Sequence, residues 1–156
     1  MSTSYRKVFQ EALKKLEQAR YEEAEQDLTR LIDQEKEPVE PLLYRGFCRH
    51  RMGKSSEALA DTQRCVELRP DNGVMFMLHG EVLLKKGDSQ KAYDVLRQAC
   101  QLEKDNGRAL YFLGCACVEL GRQEEAADYF ENALQFERDF VMAQFMARCM
   151  YPSRER

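Results

Sequence analysis

An all-α fold, a solenoid of antiparallel helix pairs, follows from two features of this 156-residue chain. The first is a period. The stretch Gly107 to Phe140 overlays the preceding sequence when shifted back by 34 residues: Leu113-Gly114 falls on His79-Gly80, Arg45-Gly46 and Glu11-Ala12; Gly121 falls on Gly87, Gly53 and Ala19; Ala126 falls on Ala92, Ala58 and Ala24. The second is the spacing inside the period, whose slots are numbered 1 to 34. Small residues at slots 8 and 20 flank a Gly at slot 15, which describes two helices crossing closely around a short turn. A large apolar residue at slot 24 (Leu28, Leu96, Phe130, with Thr62 departing) and a small or apolar one at slot 27 (Leu31, Cys65, Ala99, Ala133) complete the second helix. Four units tile residues 5–38, 39–72, 73–106 and 107–140, and a capping helix is expected over 141–150, so that 1–156 forms a single domain whose core lies between neighbouring units.

This pattern resembles the tetratricopeptide repeat, a 34-residue helix–turn–helix with Gly in the first helix and Ala, Phe and Pro later. The resemblance covers 136 of the 156 residues. Only Pro70 occupies the late Pro slot, where the other units carry Lys36, Lys104 and Arg138, and the first unit has Ala in place of both Gly. The resemblance implies a right-handed solenoid whose first helices line an inner groove.

Composition excludes several functions. A net charge of −3 and a pI near 5.6 lack the dense basic footprint that nucleic acid or an acidic membrane surface needs. No apolar run approaches the roughly 20 residues that span a bilayer. The opening MSTSYRKVFQEALKK turns amphipathic and charged instead of forming a signal core, so a cytoplasmic location is expected. The six cysteines fall on unrelated slots, so no disulfide framework is visible. Cys115 and Cys117 point about 200° apart on a helix and cannot grip one metal together. Small apolar filler in a reducing compartment is their expected role.

The first hairpin is expected near Arg6 to Gln18 and Tyr21 to Gln34, from the three- and four-residue spacing of Val8, Ala12, Ala24, Leu28 and Leu31. Pro38 and Pro41 place the start of the next helix at Pro41 or just before it. Its body carries Arg45, Arg49, His50 and Arg51, a basic patch continued by Lys54, Arg64 and Arg69 and expected to be solvated or ion-paired. Slots 7 and 11 normally point inward. Slot 7 reads Glu11, Arg45, His79, Leu113, which predicts a ladder with Glu11 stacked on Arg45 and His79 hydrogen-bonded within it. Asp71-Asn72-Gly73 and Asp105-Asn106-Gly107 mark the turns between units, where Asn and Gly accept left-handed backbone. In the last segment Val141, Met142, Phe145, Met146, Cys149 and Met150 share a face before Pro152 ends the helix.

No catalytic constellation emerges: there is no phosphate loop, no HExxH and no nucleophile elbow, and His50 and His79 are isolated, so neither enzyme activity nor a cofactor or metal is expected. Glu22-Glu23 and Glu124-Glu125 begin second helices, where they suit the positive end of the helix dipole. The binding argument rests on the first helices. Slots 5 and 9 read Phe9 and Leu13, Leu43 and Phe47, Met77 and Glu81, Tyr111 and Cys115, and slot 6 adds Tyr44, Leu78 and Phe112. Outward slots of the second helices are charged instead: Glu23, Asp27, Asp61, Arg64, Asp94 and Asp128. The clamp by which similar repeats hold a heat-shock chaperone carboxyl terminus has Lys at slot 5 and Asn at slot 9, Asn at slot 6 of the next unit, then Lys and Arg at slots 2 and 6; here only Arg108 fits, and the groove is closer in character to members that shield apolar cargo, such as bacterial secretion chaperones.

The resulting expectation is a non-catalytic adaptor or chaperone-like module. It holds an apolar peptide or helix of another protein against Phe9, Leu13, Leu43, Tyr44, Phe47, Met77, Leu78, Arg108, Tyr111 and Phe112. The alternative is a subunit of a larger assembly, or a self-associating scaffold that forms a homodimer through Met142, Phe145, Met146 and Met150.

Overall fold

The computed structural model describes residues 2–150 and the side chains of residues 2–145. Nine helices occupy the described residues: α1 (Thr3–Glu17), α2 (Tyr21–Ile32), α3 (Val39–Arg51), α4 (Ser55–Leu68), α5 (Gly73–Lys86), α6 (Ser89–Leu102), α7 (Gly107–Glu119), α8 (Gln123–Phe136) and α9 (Arg138–Met150). The starts of α3, α5 and α7, and those of α2, α4, α6 and α8, recur every 34 residues, as the repeat requires.

Each first helix packs on the second helix of its own unit, and each second helix packs on the next first helix. Successive first helices also touch (α3 with α5, α5 with α7, α7 with α9), whereas successive second helices have no contact of that extent. Helices that sit closer together lie on the inside of an arc, so the first helices form the concave face.

Slot 8 shows why the hairpins need a small residue. A Cβ added to Gly80 would stand 2.4 Å from Leu96 Cγ, and one on Gly114 would stand 2.6 Å from Phe130 Cε1. At Gly46 the facing residue is the smaller Thr62, and the separation relaxes to 3.1 Å. Slot 15 needs glycine for a different reason: Gly53, Gly87 and Gly121 turn the chain at φ of 77°, 92° and 76°. Ala19 takes the same slot at φ 56°, a left-handed conformation that costs a residue with Cβ about 1–2 kcal/mol.

The turns between units differ from expectation. Asn72 and Asn106 are not left-handed; they are N-caps, Asn72 accepting from the Val74 and Met75 amides and Asn106 from the Ala109 amide. Gly73 and Gly107 open their helices because the Glu103 and Glu137 side chains lie within 2.8 and 2.7 Å of where a Cβ would be. The second unit has Pro38 in the capping position, and α3 starts at Val39, so Pro41 falls within its first turn.

The core runs lengthwise through the solenoid. One buried cluster draws Ile32, Leu42, Cys65, Val66, Met75, Phe76, Ala99 and Ala109 from α2 through α7. Cys48, Cys65 and Cys117 are buried free thiols, and Cys115 is buried as well. Burial pushes the Cys48 and Cys65 thiols up to about 12 and those of Cys100 and Cys117 up to about 11, which removes the thiolate that redox or metal chemistry uses. At the end of the chain α9 begins at Arg138 rather than Val141. Val141 buries against Leu110, Tyr111, Cys115 and Ala133. The side chains of Met146, Cys149 and Met150 lie outside the described residues.

Candidate functional site: the concave face

The concave face is built from slots 2, 5, 9 and 12 of the first helices, positions that share one helical face by their three- and four-residue spacing. Its exposed apolar residues are Phe47 (37%), Val74 (41%), Val118 (39%), Met142 (44%) and Phe145 (61%). Between them lie half-buried Phe9, Leu13, Leu43, Tyr44, Met77 and Phe112. Arg108 is exposed beside them. Leu78 and Tyr111 are both only 6% exposed. Leu78 belongs to a core cluster with Ala58 and Val82, and Tyr111 to one with Leu110, Cys115 and Ala133. These two side chains form the floor beneath the face rather than its surface.

Aromatic rings tie the face together. Phe9 meets Tyr44 edge-on at 5.8 Å across the α1–α3 junction, and Tyr21 meets Phe47 at 6.4 Å. Tyr111, Phe112 and Phe140 form a mutual trio at 5.3 to 5.9 Å, with the Arg108 guanidinium 4.7 Å above the Phe140 ring. The end of the face is thereby covered by a ring from the first turn of α9. In the middle, His50 Nε2 bonds Glu81 Oε1 at 2.9 Å, linking α3 to α5. Val74 at slot 2 and Val118 at slot 12 are apolar occupants of the face that the expected site did not include; their three- and four-residue spacing from slots 5 and 9 made them legible.

Behind the face the polar pattern departs from the predicted ladder. Glu11 is exposed, and Arg45 does not reach it. Instead Arg45 donates from Nε to Asp61 Oδ2 (2.9 Å), from Nη2 to Asp61 Oδ1 (2.8 Å) and from Nη1 to Thr29 Oγ1 (3.2 Å). Slot 7 looks between second helices, not toward the neighbouring first helix; among the described residues no second helix precedes Glu11. Arg49 donates to Asp61 and to Glu25, and Lys54 donates to Glu25, so Arg45, Arg49 and Lys54 of the basic patch are held in a network joining the first two units. Burial raises the Glu25 carboxyl, but the bonds from Arg49 and Lys54 outweigh it and hold the group below its usual range. His79 follows the same geometry: its Nδ1 shares a 2.8 Å hydrogen bond with Thr62 Oγ1 of the preceding second helix, and burial lowers its pKa. This bond accounts for the polar Thr62 at a slot otherwise apolar.

Among the described residues no three His, Cys, Asp or Glu side chains gather as a metal site, and no helix is long and apolar enough to cross a membrane. What the arrangement offers chemically is an apolar, aromatic surface on a rigid scaffold.

Solved structures share this architecture. MamA residues 41 to the end from Desulfovibrio magneticus RS-1 superpose with a TM-score of 0.79 at 24% identity, covering 88% of this chain and 78% of that one. A further crystal structure of MamA gives 0.75 at 21% identity, over 85% of this chain and 77% of that one. TTC0263, a thermophilic tetratricopeptide-repeat protein of Thermus thermophilus, gives 0.77 at 19% identity, over 86% and 75%. No curated protein sequence matches the chain. A family model does: that of anaphase-promoting complex, cyclosome, subunit 3, over residues 51–133, which is more than half the chain and includes α4 through most of α8. The chain is a tetratricopeptide-repeat protein, an interaction or scaffold module by fold, and it belongs to the family described as anaphase-promoting complex, cyclosome, subunit 3.

Proposed function

We propose that the protein is a non-catalytic adaptor whose concave face holds an apolar peptide or helix from another protein. The observation that carries this reading is the placement of exposed large apolar side chains. Phe47, Val74, Val118, Met142 and Phe145 all fall on the first-helix stripe, while the exposed apolar residues elsewhere, Leu102, Leu134 and Phe136, cluster at the ends of α6 and α8. A patch that recurs once per unit on the inside of an arc suits an extended or helical ligand. Affinity capture with the wild type, Phe47→Glu and Leu102→Glu tests it. A partner lost with Phe47→Glu and kept with Leu102→Glu supports the groove; a partner kept with Phe47→Glu overturns it.

One observation favours a second reading, a subunit of a larger assembly or a self-associating scaffold. In α9 the slots that elsewhere receive a second helix read Gln144 and Arg148, while Met142 and Phe145 stay exposed. The helix therefore ends the stack but keeps an apolar edge, and the matching family is described as a subunit of a complex. Light scattering of the wild type and Phe145→Glu separates the two: a monomer at every concentration removes self-association.

A further inference from the structure

The chain has two histidines, and both bridge the same boundary, that between the second and third units. His79 on α5 meets Thr62 on α4 at 2.8 Å, and His50 on α3 meets Glu81 on α5 at 2.9 Å. Each histidine is only 5% exposed. Apart from the Asn72 cap, these are the side-chain hydrogen bonds that cross this boundary among the described residues. The other two boundaries hold no histidine: Arg49 and Lys54 reach Glu25 and Arg45 reaches Thr29 across the first, and Tyr93 reaches Glu125 across the third. At the third boundary the slots of Thr62 and His79 are filled by Leu96 and Leu113, which share one buried apolar cluster. An imidazole thus stands where an apolar contact closes the stack one unit later.

Burial works against the His79 imidazolium. Glu67 of α4 is the charged group that favours it, and burial outweighs that attraction. On α3, Arg45 is held by Asp61 of α4, and His50 by Glu81. The buried side chains of α6 and α7 are uncharged, and Tyr93 among them turns its hydroxyl to Glu125 of α8. The His50 contact behaves differently. Its Nε2 donates to the Glu81 carboxylate whether or not the ring carries a second proton, and a charged donor makes that bond stronger. The carboxylates that α2 and α4 turn toward α3 are engaged by its arginines and Lys54: Glu25 by Arg49 and Lys54, Asp61 by Arg45 and Arg49, and Glu57 by Arg49 at 3.6 Å.

We infer that the boundary between the second and third units is a proton-sensitive hinge: uptake of a proton at His79 parts α5 from α4, while the His50–Glu81 clasp keeps α5 against α3 on the concave face. In a solenoid each unit touches only its neighbours, so a weakened boundary divides the stack without unfolding either part. The two parts turn about the concave edge, with exposed Phe47 on one side of the hinge and Val74 on the other. The apolar cluster running through this boundary, which includes Cys65, Val66, Met75 and Phe76, keeps the closed form dominant, and acid raises the open population. The hinge does not depend on what the concave face holds.

Native cysteines serve as probes of each boundary. Cys65, three residues beyond Thr62 on α4, is buried in the cluster at the hinge; Cys48 is buried where the first and second units meet, and Cys117 where the third and fourth meet. The full chain is labelled briefly with a dipyridyl disulfide and read site by site by peptide mass spectrometry. Cys65 labelling, relative to Cys48 and Cys117, is expected to rise by up to about tenfold from about pH 7.5 to about pH 5.5, the span over which an exposed imidazole with a pKa of about 6.5 takes up its proton. The ratio stays flat in His79→Gln and in the double variant Thr62→Leu, His79→Leu, which copies the leucine pair of the third boundary. A flat ratio in the wild type, labelling of all three cysteines that rises in step, or a rise that persists in the double variant overturns the hinge. The double variant decides alone if His79→Gln does not fold.

Discussion

Arg45 on α3 grips Asp61 on α4 through two parallel hydrogen bonds of 2.9 and 2.8 Å, with Asp61 only 4% exposed. This pair, shared with Arg49 and extended to Glu25, fastens the second hairpin to itself and to the first. Removing one partner leaves a buried charge uncompensated. Asp61→Ala, which strands two arginines, is expected to cost about 3–5 kcal/mol, and Arg45→Met less, because Arg49 still neutralises Asp61. Glu11→Ala should change stability by less than about 0.5 kcal/mol, as an exposed residue does. Denaturant melts of the three variants check the order.

The backbone at slot 15 supplies a stabilising change. Ala19 holds φ 56° where the other units have glycine. Ala19→Gly removes the left-handed penalty but adds unfolded-state freedom, for a net gain of about 0.5 kcal/mol. Gly87→Ala, at φ 92°, should cost about 1–2 kcal/mol. A thermal melt in which Ala19→Gly lowered the midpoint would contradict this account.

Helix crossing distance predicts a graded response at slot 8. Gly80→Ala drives a methyl to 2.4 Å from Leu96 and should cost about 1–3 kcal/mol, whereas Gly46→Ala, 3.1 Å from Thr62, should cost less. Gly80→Ala combined with Leu96→Val should recover part of the loss, measurable by urea titration.

His79 and Glu25 each contribute to the acid sensitivity. Burial lowers the folded His79 pKa below its unfolded value near 6.5, so the unfolded chain takes up the proton first. Its contribution is complete above about pH 6.5 and is lost as pH falls toward the depressed folded value. Glu25 acts in a lower window: held below its ordinary value near 4.5, it stabilises above that pH and the effect fades as pH falls through the folded value. Melting temperature against pH should show both declines. His79→Gln should flatten the upper one and leave the lower, and a profile unchanged by that substitution removes His79 as its source.

Burial distinguishes anchors from floor on the concave face. Tyr111→Ala deletes a 6% exposed ring and should cost about 3–5 kcal/mol of stability. Phe47→Ala, at 37% exposure, should leave most of the stability in place and weaken partner binding by about 2 kcal/mol. Calorimetry on both variants reads the two quantities separately. Partner binding that is unaffected by Phe47→Ala would place the ligand elsewhere.

The helices, their pairing and the turns within each hairpin were legible in the chain because they depend on local chemistry repeated every 34 residues: Gly80 faces Leu96 and Gly114 faces Phe130 through hairpin geometry that any one unit contains. The apolar character of the first-helix stripe was legible for the same reason. Partner choice at slot 7 was not. Arg45 lies one repeat from Glu11 in sequence, but the side chain leaves α3 toward the second helices, where Asp61 and Thr29 wait. Exposure within the stripe was hidden too. Phe47 and Tyr111 look equivalent as aromatics on first helices, yet Tyr111 lies under Phe112, Phe130 and Phe140 while Phe47 touches Tyr21 and then solvent. Periodicity states which face of a helix a residue occupies; how much of that face stays open depends on how closely the next helix approaches, a quantity set by packing between units that no single repeat encodes.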